Sequence, residues 1–366
     1  MGTNPPLLSI CVPTYNRAKF LRVMLQALLP QVAEFQDQVE VWIIDNASPD
    51  DTQEVLRESE ALGPFHNIRN DENTGPLRNV LKGPCELATG KYIWVIGDHN
   101  LMVPGAIRQL VSTLNSQPDL RLFYANFRVT SYPANWPENA RGGHDGFFHY
   151  TANNEIANRR VNHWQELIQS RNSMCTQVYA HIVRTDIWQA YWKERDIPES
   201  YTDSASTYPH THMIADVALD EPAYYIGSPL ITIFNGAQSW GAYTTQFKVF
   251  FVGLPDLIEL FRKRGLEPAR ICDVKSCARS CVRELMLTRF QVPTVRPLTE
   301  AIRALRKAGF RRSYLWHPVC DAYLHARSDA ASRFLCRLSD TFQSVHSYLF
   351  FRCRPARWLR VFLKRT

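Results

Sequence analysis

Short apolar runs alternate with amphipathic stretches through the first third of the chain. Residues 7–12, 39–44, 91–96 and 121–126 are apolar runs of strand length, and 67–70 is a shorter candidate. Between them lie patterns of period 3.6. Over residues 18–29, Phe20, Leu21, Met24, Leu25 and Leu28 recur at helical spacing, and residues 104–114 behave alike. Ser48-Pro49-Asp50-Asp51 predicts a helix start, with Ser48 as cap and Pro49 in the first helical position. A helix over 76–88 is predicted to close at Thr89-Gly90, the glycine serving as a left-handed cap. Strand–helix alternation of this kind predicts an α/β, Rossmann-like, mostly parallel sheet flanked by helices.

The pattern dissolves over residues 131–158, which predicts a long loop. Helical signal returns at 163–171, 182–195 and 211–219, a strand at 223–226, and a flexible loop at 236–241. Beyond 246 the chain reads as helical, which divides it into a domain of residues 1–245 and a basic helical region of 246–366.

Charge sharpens that division. Residues 252–366 hold 23 Lys and Arg against 9 Asp and Glu, a net +14, while residues 1–251 carry −7. Such asymmetry suggests a polyanionic partner surface. Residues 348–366 interleave Arg352, Arg354, Arg357, Arg360, Lys364 and Arg365 with Phe350, Phe351, Trp358 and Phe362. That composition predicts docking on an anionic membrane face; a terminal helix packed on its own domain is the alternative. No RNA- or DNA-binding signature accompanies the basic residues, so a nucleic-acid partner is not expected. No eighteen-residue apolar run and no leader-like start is seen. The nine cysteines lack regular spacing, and Cys272, Cys277 and Cys281 have no partner completing a metal pattern. The expected location is the cytoplasm, peripheral on the inner membrane face.

Candidate chemistry sits just past the strands. Residues 7–12 run into Pro13-Thr14-Tyr15-Asn16-Arg17, residues 39–44 into Asp45-Asn46-Ala47-Ser48, and residues 91–96 into Gly97-Asp98-His99-Asn100. Ligands of open α/β sheets bind at such carboxyl ends. The first turn has no glycine, which excludes a dinucleotide fingerprint and a P-loop.

This array, with Asn73-x-Gly75 and Ala88-Thr89-Gly90-Lys91, resembles glycosyltransferase family 2: inverting nucleotide-sugar transferases of GT-A fold; Gly75-Pro76 and Asn235…Ser239-Trp240 are similar to the bacterial surface-polysaccharide, abequosyltransferase-like group. The likeness spans about residues 7–126, with a looser echo to Trp240. It implies a nucleotide-diphosphate sugar donor and a saccharide or lipid-linked acceptor. Pro13, Thr14, Tyr15, Asn16 and Arg17 would shape the nucleoside-binding turn, and Asp45 would accept from the base; a turn aspartate is its plainer reading. Asn73 and Arg78 would approach the diphosphate or sugar. Asp98, His99 and Asn100 occupy the D-x-D position, where Mn²⁺ or Mg²⁺ would bridge the phosphates; the second carboxylate is replaced by Asn100.

The acceptor base is implied at the start of a later helix. There His210 falls closest, with Asp203 and Asp216 as rivals and a helix-capping histidine as the alternative. A non-catalytic nucleotide- or sugar-binding module and a transferase acting on a protein side chain remain open beside the saccharide reading.

Overall fold

The computed structural model describes residues 5–131, 149–151, 155–168, 176–235, 245 and 248–275. All of them fall in one compact unit, residues 1–280; the second unit, 281–366, lies outside the described residues, as do residues 348–366, Cys277, Cys281 and the loop 236–241.

Among the described residues, ten strands form one mixed sheet. They are β1 (Leu8–Thr14), β2 (Val39–Asp45), β3 (His66–Arg69), β4 (Tyr92–Val95), β5 (Leu101–Met102), β6 (Leu122–Ser131), β7 (His149–Thr151), β8 (Arg159–Val161), β9 (His181–Arg184) and β10 (Ala223–Asn235). Their order is β3-β2-β1-β4-β9-β6-β10-β5, with β7 added on β6 and β8 on β10. β3, β2, β1 and β4 are mutually parallel, in keeping with the buried apolar runs of β1, β2 and β4. Every residue of β4 is buried, and β1 is buried at all positions but Pro13.

The helices are α1 (Ala18–Ala33), α2 (Thr52–Ser59), α3 (Pro76–Lys82), α4 (Ala106–Ser116), α5 (Thr185–Trp192), α6 (Ser204–Thr207) and α7 (Pro209–Val217). Helix α1 runs a turn past the expected stop, carrying Pro30 inside it, because Leu28, Leu29 and Val32 continue the buried stripe.

Several local expectations are corrected. Ser48 does not cap α2; the helix starts at Thr52, Asp50 Oδ1 accepts from the Thr52 hydroxyl (2.6 Å), and Ser48 Oγ receives the Asn16 N–H instead (2.9 Å). Helix α3 ends at Lys82, followed by a π turn over residues 83–87. Gly90 is not in a left-handed conformation. A Cβ there would lie 2.7 Å from Ser9 Oγ and 2.8 Å from Ser9 N, so close approach to β1 is what demands glycine.

The largest correction is β9. Residues 182–195 read as one helix, yet His181–Arg184 is a strand running antiparallel between β4 and β6, and only then does α5 begin. β-branched Ile182 and Val183 were the available signal. The chain beyond 246 keeps packing on this unit: Leu254, Leu257, Ile258 and Phe261 of the helix Leu254–Lys263 are buried, and Tyr208 Oη donates to Val249 O (3.0 Å).

Candidate functional site

Strands β1, β2 and β4 end side by side, and their register brings the three polar turns together. Asn46 N–H donates to Thr14 O (3.0 Å) and Ile96 N–H to Cys11 O (3.0 Å), which continues the ladder just past the strands. Thr14 is buried and its hydroxyl donates to Asp98 Oδ2 (2.9 Å). Tyr15, just past β1, is 41% exposed. Asn16 (φ 54°) and Ala47 (φ 62°) both take the left-handed region. For Ala47 that is a strained conformation of the kind found at binding sites, and its sequence carries no warning of it. Pro13 is half-buried behind this turn.

Asp45 is fully buried, and both its oxygens have partners. Oδ1 accepts Ser48 N–H (2.9 Å); Oδ2 accepts Gln53 Nε2 (2.7 Å) and Arg69 Nη1 (2.9 Å). Beside it lies an amide network that sequence reasoning missed. Asn46 Nδ2 donates to Asn73 Oδ1 (2.8 Å), and Asn46 Oδ1 accepts from Asn70 Nδ2 (2.9 Å), Thr74 N (3.0 Å) and Thr74 Oγ1 (3.1 Å). Asn70 also donates to Asn79 Oδ1 (3.1 Å), and Asn79 Nδ2 reaches Ile44 O (3.1 Å). Asn46, Asn70 and Asn79 are buried, so the network fixes the loop 70–75 against the end of β2. Asparagines scattered between positions 46 and 79 have no periodicity by which to find them. Asn73 and Arg78 are both exposed on the rim, the latter within 3.5 Å of Ile197 O.

The third turn is the most constrained. Asp98 is 5% exposed. Its Oδ2 takes the Thr14 hydroxyl, while Oδ1 takes Arg17 Nε–H (2.9 Å) and faces His99 Nδ1 at 3.1 Å. Burial alone would raise this carboxyl, but the His99 and Thr14 hydrogen bonds and the Arg17 charge outweigh it and hold Asp98 below the usual carboxylate range. Asn100, expected as a weak metal ligand, is fully buried with its oxygen turned inward onto Gly97 N–H (2.7 Å), where it closes the turn. Among the described residues no three of His, Cys, Asp and Glu converge. At Asp98-His99-Asn100 the one carboxylate is already paired to a guanidinium and the amide oxygen is committed to the Gly97 turn, so the donor set as placed does not fit a divalent cation.

The base candidates separate cleanly by surroundings. Asp203 caps α6, accepting Ser206 N–H (2.7 Å) and Ser206 Oγ–H (2.7 Å) on Oδ1. Asp216 accepts from Tyr191 Oη (3.1 Å) and pairs with Arg195 and Arg264 near the far end of α7. Both are occupied structurally. His210 opens α7 and is buried, its ring 5.0 Å from that of His181. His181 directly precedes Ile182, which pairs with Trp94 of β4. Burial pushes His181 down to about 4, keeping it neutral near pH 7. His212 is instead tied to Ser204 Oγ (2.8 Å), which donates to Asp256 Oδ2 (2.7 Å).

Comparison with known proteins places this arrangement in context. Residues 9–182 match the profile of Glycosyl transferase family 2. The chain is 27% identical over 230 residues to abequosyltransferase RfbV of Salmonella typhimurium, covering 62% of this chain and 66% of that protein. It is 27% identical over 139 residues to the chondroitin synthase of Escherichia coli, covering 36% and 20%. The chain thus spans less than two thirds of the length of these relatives. In three dimensions it is similar to S. aureus TarS 1-349 in complex with UDP-GlcNAc, with a TM-score of 0.55 at 12% identity over 86% of this chain and 89% of that one. That likeness supports the GT-A fold.

Proposed function

We propose, from the match of residues 9–182 to the glycosyl transferase family 2 profile, that the chain is an inverting glycosyltransferase of surface-polysaccharide synthesis. It moves one sugar from a nucleotide-diphosphate donor to a saccharide or lipid-linked acceptor. The observation that carries this reading is the contact of Thr14, Arg17 and Asp98 across the carboxyl ends of β1 and β4, with Asp45 at the end of β2 beside them. Tyr15 offers a face on which a nucleobase stacks.

In the transfer, the acceptor hydroxyl oxygen forms a bond to the anomeric carbon as the carbon–oxygen bond to the diphosphate breaks. The electron pair of the broken bond stays on the departing phosphate, and the hydroxyl proton passes to a base. His210 is the base this reading favours, because Asp203 and Asp216 are committed to a helix cap and to arginines. Its burial means that the acceptor must reach it through a rearrangement of neighbouring residues. Positioning the two reactants and compensating the charge of the leaving group supply the acceleration.

A thermal-shift panel of UDP-, GDP-, CDP- and dTDP-sugars, each with and without Mn²⁺, tests the donor reading, since a ligand of the folded state raises apparent stability. A shift with at least one donor, followed by slow hydrolysis or transfer, supports it. No shift with any of them overturns it. Shifts without turnover favour the binding-module alternative.

The basic, aromatic residues 348–366 support an acceptor held at an anionic membrane face. Co-sedimentation with anionic but not neutral vesicles, lost on truncation after Ser347, is the expected result; equal pelleting of both forms refutes it. Among the described residues no helix is long and apolar enough to cross a membrane.

A further inference from the structure

A site built for a divalent cation presents carboxylates with lone pairs open to the metal. Here Asp98 presents a carboxylate already engaged by Thr14, Arg17 and His99, and Asn100 faces away. We propose that Arg17 is itself the resident cation of the donor site, binding the diphosphate directly, so that donor binding needs no divalent ion. This rests on the transferase reading and deepens it.

Two observations, with the chemistry of the guanidinium, point the same way. Arg17 is anchored at the carboxyl edge of the sheet, its Nε–H on Asp98 and its guanidinium over the Phe20 ring at 4.1 Å, so its plane is held. A planar fork held in that way matches phosphate oxygens geometrically, which a freely rotating ammonium does not. Its side chain is 12% exposed, so any anion reaching it is largely withdrawn from water, where a charge-assisted hydrogen bond is strongest. A dication on Asp98 would have to lie beside this guanidinium or displace it, with like-charge repulsion in either case.

The neutral Asn100 then has a reason. The Asp98–Arg17 pair is electrically balanced. A second carboxylate next to it, without a dication, would face the leaving diphosphate with uncompensated negative charge. An asparagine closes the Gly97 turn and adds none.

The experiment is isothermal calorimetry of the full chain with UDP, GDP, CDP and dTDP, each in EDTA and in Mn²⁺, taking forward the tightest. The expected result is an affinity in EDTA within about threefold of that in Mn²⁺. Arg17→Ala is expected to weaken the nucleoside diphosphate about ten- to a hundredfold while leaving the parent nucleoside unaffected. Arg17→Lys keeps the charge opposite Asp98 and guards against a folding failure; it should fall between the two. Arg22→Ala, on the exposed flank of α1, is the control expected to bind like wild type. Binding that appears only with Mn²⁺ overturns the inference and leaves the transferase reading intact. So does an Arg17→Ala protein that is folded and binds the diphosphate as wild type does. No binding of any nucleotide under either condition overturns both.

Discussion

Removing the Asn46 side chain tests whether the buried amides hold the site together. Asn46 is 2% exposed and joins three segments: its amide nitrogen reaches Asn73, and its oxygen gathers Asn70 and the backbone and hydroxyl of Thr74. Asn46→Ala deletes bonds of 2.8, 2.9 and 3.0 Å and a fourth of 3.1 Å. Each is worth about 1 kcal/mol net, and the Asn70 amide keeps its bond to Asn79, so the loss is about 4 kcal/mol rather than the larger cost of an abandoned buried donor. For a domain of this size that corresponds to a fall of about 8 to 16 °C in melting temperature. Urea unfolding followed by circular dichroism should show the midpoint fall with the slope unchanged. Asn73→Ala, on the exposed rim, should cost under about 1 kcal/mol. If Asn46→Ala melts within about 3 °C of wild type, or no lower than Asn73→Ala, the network does not organise the site and the reasoning fails.

Three further outcomes are expected. His210→Ala should cut turnover about a hundred- to ten-thousandfold with nucleotide affinity unchanged; the same loss from Asp203→Ala or Asp216→Ala, with His210→Ala active, would move the base to an aspartate. His181 is pushed down to about 4 from 6.5, so the unfolded chain binds the extra proton across that window. Stability should therefore be full above about pH 6.5 and decline as pH falls toward 4, by up to about 3 kcal/mol at about 1.4 kcal/mol per unit; His181→Asn, followed by denaturant titration at pH 7 and pH 5, should flatten that slope. Gly90→Ala should destabilise by about 1 to 3 kcal/mol, because its Cβ would meet Ser9 at 2.7 Å; a melting temperature equal to wild type would show that β1 can yield there.

The alternation of buried apolar runs with period-3.6 stretches was enough to place β1, β2, β4 and the helices between them, because burial on both faces leaves a continuous apolar signature; β3, largely exposed at the sheet edge, was legible only as a short candidate. The turns beyond those strands were legible too: Thr14, Arg17, Asp45 and Asp98 meet because parallel neighbours in register must end together. Which atoms they offer was not legible. The choice of Asp98 to bind Arg17, of Asn100 to turn onto Gly97, and of Asp203 to cap α6 is made by side-chain directions that packing sets. Strand β9 escaped because four residues are too few to show a period, and its pairing with β4 and β6 spans about ninety and sixty positions of chain. Gly90 shows the same divide in one residue: the chain order marks a glycine at a strand entrance, but only the proximity of Ser9 supplies the reason. Local periodicity is written along one dimension; contacts between distant turns exist only after the sheet has assembled.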